Sequence, residues 1–168
     1  MRKFLTLLLL ITLWSCQSES RNPLKYVELK TPAGDSIKTS LVFTPHDMEQ
    51  GLSGTKPENF DEDQGMLFFY LVDDEKNFWM PDTYFDLDLI YLDKDLKIND
   101  IIRKLPHYIG RTNPELIPRA RGVYSRHVLE MKSTSAISGK LKIGDQLIWK
   151  SDLSLDETAS KISSELQK

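Results

Sequence analysis

The sequence predicts a mostly-β, compact sandwich- or barrel-like single domain with short helices and a C-terminal helix. Three observations carry that expectation. Apolar runs of strand length recur between turn residues, and the run at 87–93 (LDLIYLD) alternates with period two. Sustained helical spacing is confined to the end, where Leu155, Ala159, Ile162 and Leu166 recur.

Taken in order, residues 1–15 read as a lipoprotein signal peptide. Arg2 and Lys3 precede an apolar run from Phe4 to Leu13, the length of a signal h-region and too short to cross a bilayer core. Cys16 is the only cysteine, so an internal disulfide is impossible and the thiol needs another use. Leu13-Trp14-Ser15-Cys16 resembles a bacterial lipobox, which implies lipidation of Cys16, with Trp14 departing from the usual small or aliphatic residue. Gln17 then resembles a signal for outer-membrane sorting. The expectation is a cell-envelope protein held to the membrane by its lipid anchor, on the outer membrane facing the periplasm, with residues 16–23 as a lipidated tether.

A β domain is expected over residues 24–152. Residues 26–29 and 37–43 form a hairpin around the turn Pro32-Ala33-Gly34-Asp35. Thr44 caps a short helix with Pro45 at its first position and Asp47 in its first turn, ended by Gly51 or Gly54. Residues 66–70 (MLFFY) are an apolar strand covered on both faces. The strand at 87–93 turns at Asp93-Lys94-Asp95 and returns at 98–105. Residues 106–122 hold three prolines and two glycines and read as a long loop of the kind that is often functional. A strand at 123–131, a helical turn at 134–139 and a strand at 146–150 follow. Ser154 and Glu157 fit a capping box at the head of a C-terminal amphipathic helix over 153–168. That helix packs on the domain or docks to a partner.

The formal net charge is −3, and loss of Arg2 and Lys3 with the signal peptide makes it −5. Without a basic cluster, nucleic acid is not an expected partner, because phosphate neutralisation needs concentrated Lys and Arg. An envelope protein or glycan is the expected partner instead. The three histidines, His46, His107 and His127, make no His-x-x-x-His pair, so no zinc site is expected and no cofactor is implied. A Gly-x-Ser-x-Gly elbow and a phosphate-cradling glycine loop are also missing from the sequence.

Three blocks of residues stand together along the chain. They are Gln50-Gly51-Leu52 with Gly65-Met66-Leu67-Phe68, then Phe78-Trp79-Met80 with Thr83 and Leu87-Asp88, then Arg126-His127-Val128-Leu129-Glu130 with Gly144-Asp145. In order and spacing they resemble the DUF192 family over about residues 41–149. The resemblance implies a compact β-sandwich-like domain and supplies almost no chemistry, since the family's biochemical function is not established. The chain departs from the family pattern at Ser53, at Pro81-Asp82 and at Asp86.

The residues expected to bind a ligand are Trp79, Asp82, Asp86, Asp88, Arg126 and Glu130. Asp86 and Asp88 are two apart on an extended segment and share a direction. Asp88 lies on an apolar face with Ile90 and Leu92, where a carboxylate must find a partner. Arg126, on one face with Glu130, is the expected one. The bland alternative is a structural ion pair or a loop cap. The sharper alternative is an acidic pocket for a divalent cation, or a carboxylate pair acting as acid and base on envelope glycan. Trp79 offers a ring against which a sugar could stack. Asp88→Asn separates these: lost binding with stability kept marks a site, collapse of the fold a structural residue. The favoured function is a non-catalytic binding domain. The alternatives are a carboxylate-based or metal-assisted hydrolase and an assembly factor that docks through its terminal helix.

Overall fold

The computed structural model describes residues 24–168. The signal peptide, Cys16 and the tether to Pro23 lie outside the described residues. Nine strands are described: β1 (Tyr26–Lys30), β2 (Ser36–Val42), β3 (Gln64–Phe68), β4 (Asp74–Lys76), β5 (Leu87–Leu92), β6 (Ile98–Leu105), β7 (Val123–Ser125), β8 (His127–Lys132) and β9 (Ile148–Lys150). Three α-helices accompany them: α1 (Pro45–Gln50), α2 (Ala136–Lys140) and α3 (Leu155–Glu165).

Seven strands form one sheet in the order β6-β5-β8-β3-β2-β1-β9, and β4 and β7 pair as a small second sheet. The two outer strands of the large sheet come back to each other. Lys97 bridges Gln146, the Ile98 amide donates to the Asp145 carbonyl and the Leu147 amide to the Leu96 carbonyl. The sheet therefore curls nearly into a barrel, which covers edges that would otherwise invite pairing with another chain.

Strand alternation then sorts the core. Leu29, Ile37, Leu67, Ile90, Leu92, Leu129 and Met131 pack together on one face. Phe68, Leu87, Leu89, Tyr91 and Val128 pack on the other, under Phe78, Met80 and residues of the long loop. All six residues of β5 are buried, as expected for a central strand covered on both faces.

The local signals behave as expected. The hairpin β1–β2 pairs Tyr26 with Ser40 through to Lys30 with Ser36. The Thr44 hydroxyl caps α1 by accepting the Asp47 amide, and Gly51 closes the helix. Ser154 and Glu157 form both bonds of a capping box at α3. The terminal helix packs on the domain. Ile162 is fully buried in the first core, with Leu155 and Ala159 against it, and the Trp149 indole donates to the Leu153 carbonyl at 2.8 Å. Leu155, Ala159 and Ile162 of its apolar face are thus occupied, while Leu166 at its end stays exposed. Ile162→Ala is expected to cost about 2–5 kcal/mol, read as a lower denaturant midpoint.

Two features differ from expectation, while the long loop expected over 106–122 is present. The strand expected at 123–131 is broken at Arg126, whose amide donates to the Leu92 carbonyl and leaves the first three residues to pair with β4. Residues 74–76, which carry no apolar pattern, form β4 because β7 offers them a partner. The long loop 106–122 is stitched down along both arms. Thr83 and Asp82 donate to Tyr108 and Gly110, while Met80 and Ala120 bond Pro118 and Phe78.

Candidate functional site

A cleft of about 110 Å³ opens where the turn after α1, the end of β3, the 77–83 segment and the middle of β8 meet. Gly51, at φ 46°, makes the turn possible. A Cβ there would stand 3.1 Å from the Phe68 ring, so glycine also lets Gln50 to Ser53 lie close over β3. The Ser53 hydroxyl donates to the Pro81 carbonyl at 2.6 Å and the Gln50 amide to the Ser53 carbonyl, which joins this turn to the Trp79 segment. Phe68 meets Phe78 edge-on at 4.8 Å in the wall between them.

Glu130 forms the floor. Register places it beside Met66 on β3 and Leu89 on β5, in the centre of the sheet, and it is only 4% exposed. Its Oε2 has no hydrogen-bond partner among the described residues. Burial alone pushes its carboxyl up to about 8, so it holds its proton at neutral pH. An unpartnered buried polar group costs about 1–3 kcal/mol, and of the three such atoms among the described residues, on Tyr91, Ser125 and Glu130, only that of Glu130 belongs to a residue lining the cleft. Tyr91, diagonal to it on the same face, also has a hydroxyl without a partner among the described residues, and burial raises that phenol far above its ordinary range.

Tyr70 forms a side wall. Burial, then the Glu130 charge, pushes its phenol up to about 12. Its amide donates to Nδ1 of His127 at 3.3 Å, and His127 is buried against Phe69, with its pKa lowered to about 3 chiefly by that burial. A neutral imidazole thus holds the Tyr70 backbone in place. Behind the ring, the Lys76 ammonium lies 3.9 Å from its centroid. Trp79, 41% exposed, stands at the mouth with Arg119 5.1 Å from its ring centre.

Of the six residues expected to converge, the structure brings Trp79 and Glu130 together in this cleft. Asp88 lies on the opposite face of the sheet, alongside Met131. Its partner is Arg103, not Arg126. Arg103 Nη1 donates to Asp88 Oδ2 at 2.6 Å, Ser138 Oγ donates at 2.7 Å and the Lys104 amide donates to Oδ1 at 2.9 Å. Arg126 is drawn away by the break in its strand and pairs with Asp73 at 2.7 Å. Asp86 accepts the amide and Nδ1 of His107, which hold its carboxyl below the usual range. Asp82, at φ 50°, accepts the Gly110 amide and serves to tie down the long loop. No acidic pocket forms from these aspartates. Among the described residues, no group of three His, Cys, Asp or Glu side chains could hold a metal ion.

Sequence reasoning missed Glu49, Gln50, Ser53, Tyr70 and Asn77 as lining residues. A signal was present, because Gln50-Gly51-Leu52, Phe68, Phe78-Trp79-Met80, Thr83, Leu87 and Glu130 all belong to the three blocks quoted above, and all line this one cleft. A wider groove of about 550 Å³ over β1, β2 and β3 meets the cleft at Leu52, but no buried unpartnered atom found among the described residues lines it.

Fold and site together define a single-domain, nearly closed β protein with an aromatic cleft floored by a buried acid. The chain belongs to the DUF192 family, described as an uncharacterized ACR, whose model matches residues 28–149. That match reaches further toward the N-terminus than the motif blocks, taking in most of β1. No curated protein matches the chain. Among solved structures it is similar to a Sinorhizobium meliloti protein named as a candidate transcription regulator, with 25% identity and a TM-score of 0.58 over 74% of this chain and 92% of that one. It is also similar to a Novosphingobium aromaticivorans protein of unknown function, at 23% identity and a TM-score of 0.59, over 74% and 84% of the two chains.

Proposed function

We propose that this protein is an envelope-anchored, non-catalytic binding domain whose ligand seats in the cleft between Gln50, Trp79 and Glu130. The observation that carries this reading is the unpartnered Glu130 carboxyl at the cleft floor. A folded chain retains such a group where something other than its own side chains satisfies it. The cleft is well below the roughly 300–1,000 Å³ of a drug-sized site, so it fits the head group of a ligand. Anchoring rests on the sequence: the Phe4 to Leu13 run and the lone Cys16. The regulator description of the Sinorhizobium neighbour is not carried over, because a net charge of −3 without a basic cluster offers phosphate no footprint. The aspartates on which a glycan-hydrolase reading rested, Asp82, Asp86 and Asp88, are each committed elsewhere.

The test is thermal unfolding of the full chain against muropeptides, simple glycans and small amines. A ligand at a hundred times its dissociation constant stabilises by about 2.7 kcal/mol, a shift of roughly 5–10 °C. The expected result is a shift that Trp79→Ala removes. A shift indifferent to Trp79→Ala and Glu130→Gln would place the ligand elsewhere and overturn the assignment. Metabolic labelling with a palmitate analogue tests the anchor: label is expected on the wild type and lost in Cys16→Ala.

A further inference from the structure

We infer that the cleft recognises a small organic cation, an alkylammonium or quaternary ammonium group, which rests on the reading of the cleft as a ligand site. The charge of the lining is one-sided, although amide and hydroxyl side chains such as Gln50 and Asn77 also face it. It presents the buried Glu130 carboxyl, the Glu49 carboxylate and the rings of Phe68, Tyr70, Phe78 and Trp79. Among its described lining residues there is no lysine, arginine or histidine. Aromatic faces carry negative quadrupole density, and together with an acid they are the usual means of holding an ammonium head group out of water. An anion would meet two acids, and a neutral sugar would use the Gln50 and Asn77 amides but give the acids no counter-charge.

The surroundings already use the same chemistry. Lys76 sits 3.9 Å from the centre of the Tyr70 ring and Arg119 5.1 Å from that of Trp79, and neither lines the cleft. Glu130 lies in the sheet centre without a partner for Oε2 among the described residues, and an ammonium supplies both the missing donor or counter-charge and an apolar body for the rings. A primary ammonium would donate directly to Oε2, and a quaternary one would neutralise it through space.

The proton balance follows. With the cleft empty, Glu130 is protonated at neutral pH. Binding a cation that already carries its charge ionises the carboxyl and releases its proton to solvent. The other titratable groups around Glu130 are Glu49 from α1, Tyr70 after β3 and Tyr91 from β5. The phenols stay neutral through this range because both are raised. His127, Lys76, Asp73 and Arg126 stand behind Tyr70.

The experiment follows the Trp79 indole N–H signal in spectra of the full chain, assigned by its loss in Trp79→Phe. The probes are choline, its neutral isostere 3,3-dimethylbutan-1-ol, ethylammonium and N-acetylglucosamine. Choline or ethylammonium is expected to move the signal, with affinity rising about tenfold per pH unit up to pH 8. Glu130→Gln is expected to weaken cation binding by about tenfold or more and to leave the neutral isostere unchanged. If N-acetylglucosamine or the neutral isostere binds as tightly as the cations, or if cation binding survives Glu130→Gln, the ammonium inference fails while the cleft stands as a binding site. If no probe moves Trp79, both fail.

Discussion

Asp88→Ala is expected to destabilise the domain by about 3–5 kcal/mol, with the melting temperature falling by roughly 10 °C. The carboxylate is 2% exposed and accepts from Arg103, Ser138 and the Lys104 amide. The last of these matters because Lys104 has a φ of 52° beside the register shift between Leu87 and Leu89, so its amide is not used by the ladder. Arg103 also donates to the Ser138 and Leu141 carbonyls, which fastens α2 to the sheet. Truncation at position 88 would strand a guanidinium, a bulge amide and a serine hydroxyl together. Arg103 is itself one-third exposed and can recover some water, which favours the lower end of the range. Asp88→Asn keeps the acceptor for Lys104 but loses the charge, and is expected to be destabilising by a smaller amount. Urea unfolding of the two variants checks this. An Asp88→Ala protein of wild-type stability would contradict the structural role assigned here, and bound ligand at the Trp79 cleft is expected to be unaffected by either change.

The pH dependence of stability is expected to have two opposed limbs and a flat top. Glu130 is raised from 4.5 to about 8, so its contribution is fully present below pH 4.5 and is lost as pH rises through 8. His127 is lowered from 6.5 to about 3, so its contribution is present above pH 6.5 and is lost as pH falls through 3. Between pH 4.5 and 6.5 the two slopes are equal and opposite, and stability is level. Each group's whole contribution is about 5 kcal/mol, but the two cancel across the plateau, so each visible limb is worth about 2 kcal/mol. Asp86, held low by His107, adds to loss on the acid side. Glu130→Gln is expected to flatten the alkaline limb and leave the acid one. His127→Gln, which keeps an acceptor for the Tyr70 amide, is expected to do the reverse. Denaturant midpoints from pH 3 to 9 for the three proteins measure both. An alkaline limb that survives Glu130→Gln would mean that another group carries it.

The parts of this fold that were legible in the sequence are those whose physics is local. The cap at Thr44, the capping box at Ser154 and Glu157 and the β1–β2 hairpin involve residues a few positions apart. The period-two run at 87–93 correctly placed Asp88 on an apolar face with Ile90 and Leu92. It could not name the partner, because Arg103 reaches Asp88 only through the register of a bulged strand pair. Arg126 departs from its expected partner for a similar reason. Alternation put it on the Glu130 face, and the break between β7 and β8 hands it to Asp73. The acid at Glu130 was visible within the apolar stretch 127–131, and Trp79 was visible as a candidate ring. The cleft between them needs Gln50 and Tyr70 as well, which are brought in by the parallel pairing of β2 and β3. No local pattern in the sequence announces that pairing.

Under the proposed function, a ligand in the cleft engages Glu130 as a buried acid. The most direct measurement is therefore the ¹³C signal of the Glu130 carboxyl in the full chain, followed from pH 4 to 10, assigned by its absence in Glu130→Gln, and repeated with choline. The expected result is a midpoint near 8 in the empty protein that moves down when choline occupies the cleft. A midpoint in the ordinary glutamate range, or one that stays fixed under every small molecule that reaches Trp79, would contradict it.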